Sequence, residues 1–96
     1  MTEVNSLVRI IADIVSADFE SYSMVLKEVG DWAIEEKIAF DQSDIVNALR
    51  LAIDTGYVQA FKYSASQNKF EAAQWNDKLS NDLYFYATVK GRDILD

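Results

Sequence analysis

The stretch from Asp41 to Phe61, DQSDIVNALRLAIDTGYVQAF, constrains the fold more than any other. Asp41 stands at a helix N-cap, with Phe40 before it and Asp44 three residues on. This is a capping box with the shorter acid in place of glutamate, and it puts Ile45 where it can staple onto Phe40. Ile45, Ala48, Leu49, Ala52 and Ile53 recur at helical spacing and form one inner face. Gly56 falls where a helix end calls for a left-handed residue. From Tyr57 the period changes to two, with Val58 and Ala60 on one side and Tyr57, Gln59, Phe61 and Tyr63 on the other. The pattern predicts a helix over Asp41–Thr55 that runs directly into a strand ending near Ser64.

The flanking segments extend this unit. Val4, Leu7, Val8, Ile11, Ile14 and Val15 make an apolar stripe on a first helix expected from Glu3 to Ser16, with Thr2 as its N-cap. Ile10 lies beside the stripe and widens it, which suits a buried helix or one shared between two subunits. Ala17–Ser21 reads as a connection. A second helix follows from Tyr22 to Lys37, its buried face marked by Tyr22, Val25, Leu26, Val29, Trp32 and Ala33. Gly30 inside it costs about 1 kcal/mol relative to alanine, which implies either close packing or a break. The connection to the third helix is short and forces a tight crossing. Leu83–Thr88 alternates like Tyr57–Ser64, so the two are expected to pair as a ribbon. Ala65–Asp82 between them is polar, too long for a tight hairpin turn, and expected to be a loop tethered by Phe70, Ala73 and Trp75. Thr88 can cap a last helical turn, Val89–Leu95.

Ninety-six residues make one small domain, residues 1–96. With no cysteine and no histidine, disulfides, thiolate chemistry, imidazole bases and the commonest zinc sites are excluded. Glu35 and Glu36 are adjacent on a helix and point apart, while capping accounts for Asp41 and Asp44. No glycine-rich phosphate loop or nucleophile elbow appears. The chain is therefore expected to be no enzyme and to use no cofactor and no metal. The N-terminus lacks a basic-then-apolar signal, and the longest apolar run, Leu83–Ala87, is far short of a membrane span. A cytoplasmic protein without membrane contact is the expectation. The net charge of −7 is uneven: residues 1–56 carry 4 bases and 11 acids, and the remainder is balanced. A field of that sign repels polyanions.

Helix, helix, tight turn, helix, strand, loop, strand is the order of a winged helix-turn-helix. The segment NALRLAIDTGYVQAF, through Leu49, Ile53, Gly56, Tyr57 and Val58, resembles the third-helix-to-wing passage of bacterial winged-helix regulators, including the MarR-like and PadR-like groups. The segment YATVKGRDIL, through Thr88, Gly91 and Arg92, resembles the end of their wing, with Val89 where the pattern often has proline. The two segments cover about a quarter of the chain, and the helix order extends the likeness to most of it. The resemblance implies an α+β winged helix-turn-helix with a three-helix core, a two-stranded antiparallel wing and a short C-terminal helical turn. It also implies that the third helix reads a DNA major groove while the wing lies along the flanking backbone.

Two functional expectations follow. The first is a dimeric, bacterial-type DNA-binding transcription regulator. Its base contacts would be Gln42, Ser43, Asn47 and Arg50, because asparagine and glutamine can bond adenine and arginine can grip guanine twice. Lys62, Lys69 and Arg92 would contact phosphates, with Lys78 and Lys90 as further cations, and the first helix with Ile10 would form the homodimer. The second is an acidic winged-helix module that binds a basic protein instead of duplex DNA. Its motives are the charge of the helical half and the surplus of hairpin aromatics, Tyr57, Phe61, Tyr63, Tyr84, Phe85 and Tyr86.

Overall fold

A computed structural model describes residues 2–75 and 82–95, with side chains from Ser6 onward. Among them the fold is α+β. The elements run α1 (Thr2–Ile14), β1 (Glu20–Ser21), α2 (Tyr22–Glu35), α3 (Gln42–Asp54), β2 (Val58–Ser64), β3 (Lys69–Ala73), β4 (Leu83–Ala87) and α4 (Val89–Asp93). The strands form one antiparallel sheet in the order β1-β4-β2-β3.

α3 forms where its cap and its periodicity demand. Both halves of the capping box are present: the Asp44 N–H donates to Asp41 Oδ1 at 3.1 Å, and the Asp41 N–H donates to Asp44 Oδ2 at 3.0 Å. Ile45, Ala48, Leu49 and Ala52 are buried, and Phe40 packs against the same cluster. Gly56 closes the helix at φ 85°, its own N–H donating to the Ile53 carbonyl and that of Tyr57 to the Ala52 carbonyl. These two crossed bonds form a Schellman motif and release the chain straight into β2.

α2 ends the same way with a different residue. The Lys37 N–H donates to the Ile34 carbonyl and the Ile38 N–H to the Ala33 carbonyl, and Lys37 takes φ 56° where glycine would be relaxed. This reversal gives the short connection its tight turn. The helix runs unbroken through Gly30, and the Phe40 ring lies against it, 3.6 Å from where a Cβ would stand. Of the two readings of Gly30, close packing is the one observed.

The segment from Ala17 to Ser21 and the one from Ala65 to Asp82 depart from expectation. Glu20–Ser21 pairs with β4, opposite Phe85 and Tyr84, and the Ser21 hydroxyl then caps α2 by accepting from the Met24 N–H. Lys69–Ala73 is a strand, not loop. It pairs with β2 from Ser64↔Lys69 to Ala60↔Ala73, so the ribbon has three long strands rather than two. Its turn closes at Asn68, φ 55°, whose side-chain oxygen accepts from the Tyr63 hydroxyl. Asparagine tolerates the left-handed region, so this short turn was available to the sequence. The β2–β4 pairing, Val58↔Ala87 to Lys62↔Leu83, is as expected.

Alternation gives the sheet two different faces. Val58, Ala60, Leu83, Phe85 and Ala87 are buried against Leu7, Ile11, Val15, Val25, Val29 and Leu49 from the helices. Fully burying each larger side chain contributes about 1.5–3 kcal/mol. Tyr22, Phe85 and Trp75 meet on this inner side with ring centroids 6.0–6.4 Å apart, so Trp75 is a tether for the chain after β3.

α4 is fastened at the junction of α3 and β2. Thr88 caps it by accepting from the Gly91 N–H, while the Thr88 hydroxyl donates to the Gly56 carbonyl at 2.6 Å. Gly91 packs directly on the Tyr57 backbone, and a Cβ there would stand 1.9 Å from the Tyr57 carbonyl oxygen. Gly91→Ala should therefore destabilise the fold by about 1–3 kcal/mol through forced displacement of backbone. Gly30→Ala, which meets only ordinary contact, should be neutral or gain up to about 1 kcal/mol of helix propensity. Paired urea titrations check both, and equal midpoints for the two variants would contradict the close approach at Gly91.

Candidate interaction surfaces

The α3 face expected to read bases is exposed, and its residues are held differently. Gln42, Ser43, Asn47 and Arg50 all reach the surface. The Ser43 hydroxyl donates to the Asp41 carboxylate, which ties it into the cap. Asn47 leans to one flank, where it lines a cavity of about 550 Å³ with Asp44, Ala48 and Leu51. Arg50 leans to the other flank, beside Ile53, Asp54, Gln59 and Trp75, and is engaged within the chain. The expected stripe is one face in helical projection, but Asn47 and Arg50 border separate hollows.

The expected phosphate contacts are dispersed. Lys62 stands opposite Glu71, and Lys69 opens β3 beside the turn. Arg92 belongs to the other end of the ribbon. Its guanidinium lies over the Tyr86 ring at 4.8 Å, and Nη2 reaches the Ser16 carbonyl at 3.4 Å. The β2 register that separates these ends runs from Val58 to Ser64, about 20 Å at the usual rise per residue. Tyr86 is also on the sheet face turned away from α3. Lys90 donates to the Thr55 carbonyl at 2.9 Å and sits over Tyr57, which places its charge at the negative end of the α3 dipole. Lys78 lies outside the described residues.

Carboxylates dominate where α3 begins. The Ser43 hydroxyl, then the Asp44 N–H, hold the Asp41 carboxyl below its ordinary value of 3.8. Its charge persists through any neutral or mildly acidic condition. Around Glu20, burial first and then the nearby Glu28 and Asp18 raise the carboxyl above its ordinary 4.5, a sign of crowded negative charge in the helical half. Lys27 bonds Asp31 at 3.0 Å across one helical turn. That pair is exposed on both sides and contributes little.

The hairpin aromatics resolve into two clusters. Apart from Phe85 on the inner side, Phe61, Phe70, Tyr84 and Tyr86 gather on the outer sheet face around Phe19. Phe19 stacks on Phe70 at 4.0 Å, meets Phe61 edge-on at 5.0 Å and lies 4.8 Å from Tyr86. Phe19 comes from the connection between α1 and β1, so the outer aromatics have a cover that alternation within the strands does not reveal. Of this set Tyr63 is the most open, at 40% exposure. The other feature missed by sequence reasoning is the groove between α1, α2 and α3, which joins residues up to 45 positions apart from Ser6 to Leu51.

No protein-family model matches the chain, and no curated protein or solved structure matches it. No helix among the described residues is long and apolar enough to cross a membrane.

Two measurements test this geometry. Because Asp41 titrates below its ordinary value, its stabilisation is complete above about pH 4 and disappears as pH falls through the lowered value. Asp41→Asn keeps a capping oxygen without the charge, so its thermal midpoint should fall less than the wild type's between pH 5 and about pH 2. Phe19→Ala should lower stability by about 2 kcal/mol, or roughly 10 °C in midpoint, by uncovering the outer cluster. A midpoint within about 2 °C of the wild type would show that Phe19 is no cover.

Proposed function

We propose that this chain is a winged helix-turn-helix domain that works as an acidic protein-interaction module. In this reading α2 and α3 are the helix-turn-helix, β2 and β3 form the wing, and α4 locks its base. The element order, the tight turn at Lys37 and the direct passage from α3 through Gly56 into β2 support the fold assignment. The functional reading rests on one observation. Fixed carboxylates at Asp41 and Asp44 flank the start of α3, while Lys62, Lys69 and Arg92 do not converge beside it. A duplex laid along α3 would meet repulsion where it needs counter-charge. A basic protein would instead be steered towards the helical half.

A second reading, DNA binding, keeps the support of the exposed Gln42, Asn47 and Arg50. It includes the homodimer through α1, where Ile10 is partly buried and lines a surface hollow. Anisotropy titration against mixed-sequence duplex at 50 and 200 mM salt separates the two. Under the favoured reading no duplex binding develops at the lower salt. A basic partner recovered by affinity capture should weaken about tenfold with Glu35→Lys/Glu36→Lys, as rim charges act mainly on association. Duplex binding at low salt that is lost in Asn47→Ala and Arg50→Ala would reverse the order.

A further inference from the structure

β3 is an edge strand. The sheet order β1-β4-β2-β3 leaves one side of Lys69–Ala73 without a neighbouring strand among the described residues. Alternate N–H and C=O groups of such a strand point outward and are ready to form a further ladder. The opposite edge, β1, is two residues long and offers almost none. Along β3, Lys69, Glu71 and Ala72 are exposed and Phe70 is half-buried.

The charges of this strand are self-complementary. Phe70 has Lys69 on one side and Glu71 on the other. In an antiparallel pair made by a twofold axis, one residue meets its own copy and its two neighbours exchange partners. With Phe70 on the axis, Lys69 faces Glu71 of the copy, and Glu71 faces the copy's Lys69. Moving the axis by one residue brings Lys69 against Lys69 or Glu71 against Glu71, and like charges directly opposite are destabilising. Among the described residues neither charge forms an ion pair within the chain.

The neighbouring positions agree with this register. Lys62 stands opposite Glu71 in β2, so Lys62, Glu71 and the copy's Lys69 fall in one row of alternating charge. Tyr63 stands opposite Phe70 with ring centroids 5.2 Å apart, so an aromatic row on the outer face continues from one chain into the next. A lone lysine on an edge keeps other strands away. Glu71, at the next position on the same face, turns that guard into a selector of one register.

We infer that β3 pairs with β3 of a second copy of this chain, antiparallel and centred on Phe70, so that the two sheets become one. The charge distribution favours a second copy at this place. Residues 1–56 carry 4 bases and 11 acids, whereas Val58–Ala73 carry only Lys62, Lys69 and Glu71. Two chains of net charge −7 repel through their helices and meet least repulsion at their wings. The contact uses the same strand on both chains and therefore closes at two. Five residues of strand make a small interface, so association is of the transient kind and develops at high protein concentration. It leaves the helical half free and does not depend on the partner taken there.

The test uses the full chain and two variants at exposed positions, Lys69→Glu and Glu71→Lys, each checked for fold by its own spectrum. Sedimentation equilibrium and NMR of labelled chain follow association between about 20 μM and about 1 mM, the range where weak contacts populate. The unmodified chain should move towards twice its mass, with amide shifts centred on Asn68–Ala73. Each variant alone should associate about tenfold more weakly, because two attractive cross-strand pairs become repulsive. Mixed in equal amounts, with one of them labelled, the two variants should recover the strength of the unmodified chain, since an acidic strand then faces a basic one. A single-chain mass throughout the range overturns the proposal. So do variants that associate as well as the unmodified chain, or a mixture no stronger than either variant alone. Shifts centred on Ile10 of α1, or a mass beyond twice that of the chain, assign association to another surface and overturn it too.

Discussion

The junction between Gly56 and Thr88 holds the two halves of the molecule in register. Here α3 ends, β2 begins, β4 ends and α4 begins. The Thr88 hydroxyl donates to the Gly56 carbonyl, its N–H donates to the Tyr57 carbonyl at 3.0 Å, and Lys90 reaches back to the Thr55 carbonyl. The carbonyls of Thr55, Gly56 and Tyr57, between α3 and β2, are thereby satisfied by the three-residue stretch Thr88–Lys90, 31 to 35 positions away in sequence. An unsatisfied backbone carbonyl at such a crowded point would cost free energy comparable to a lost hydrogen bond. Gly91 lets α4 approach closely enough for this to happen. The angle between α3 and the sheet, and so the placement of every residue on the α3 surface, follows from that clasp.

Around it the sheet works as a partition with apolar matter on both sides. The inner side is a conventional helix-on-sheet core, with no buried polar or charged residue among the described ones. The outer side would expose four aromatic rings from β2, β3 and β4 were Phe19 not folded over them. β1, only two residues long, matters mainly because it pins Phe19 there and hands the chain to α2 through the Ser21 cap. A small domain buries a limited share of its surface, so a second cluster outside the main core adds stability the core alone cannot supply.

The electrostatics point in one direction. Acids are held in place by structural roles at the start of α3 and crowd one another near Glu20, while several of the bases are occupied in closing the fold. Lys90 caps α3, and Arg92 covers Tyr86 and bonds the Ser16 carbonyl. A chain whose cations are occupied in this way offers a polyanion little counter-charge beside α3.

Local chemistry made the helices, α3's two caps, the α4 cap at Thr88 and the pairing of β2 with β4 legible from sequence. Asp41, Asp44, Gly56 and Thr88 act on neighbours within a few residues, and the alternation in Val58–Ser64 and Leu83–Ala87 needs no partner to be seen. β3 was not legible, because Lys69–Ala73 is short and alanine-rich and its strand character comes from lying beside β2. Phe19 gave no signal for a related reason: its partners Phe61, Phe70 and Tyr86 are 42 to 67 positions away. The candidate site divides along the same line. Sequence alone determined that Gln42, Ser43, Asn47 and Arg50 would be exposed, since helical periodicity decides which side of α3 faces water. Only the tertiary structure decided that Asn47 borders the α1 groove, that Arg50 borders the sheet and that Arg92 stands apart from both, because those relations depend on how α3, the sheet and α4 are clamped together.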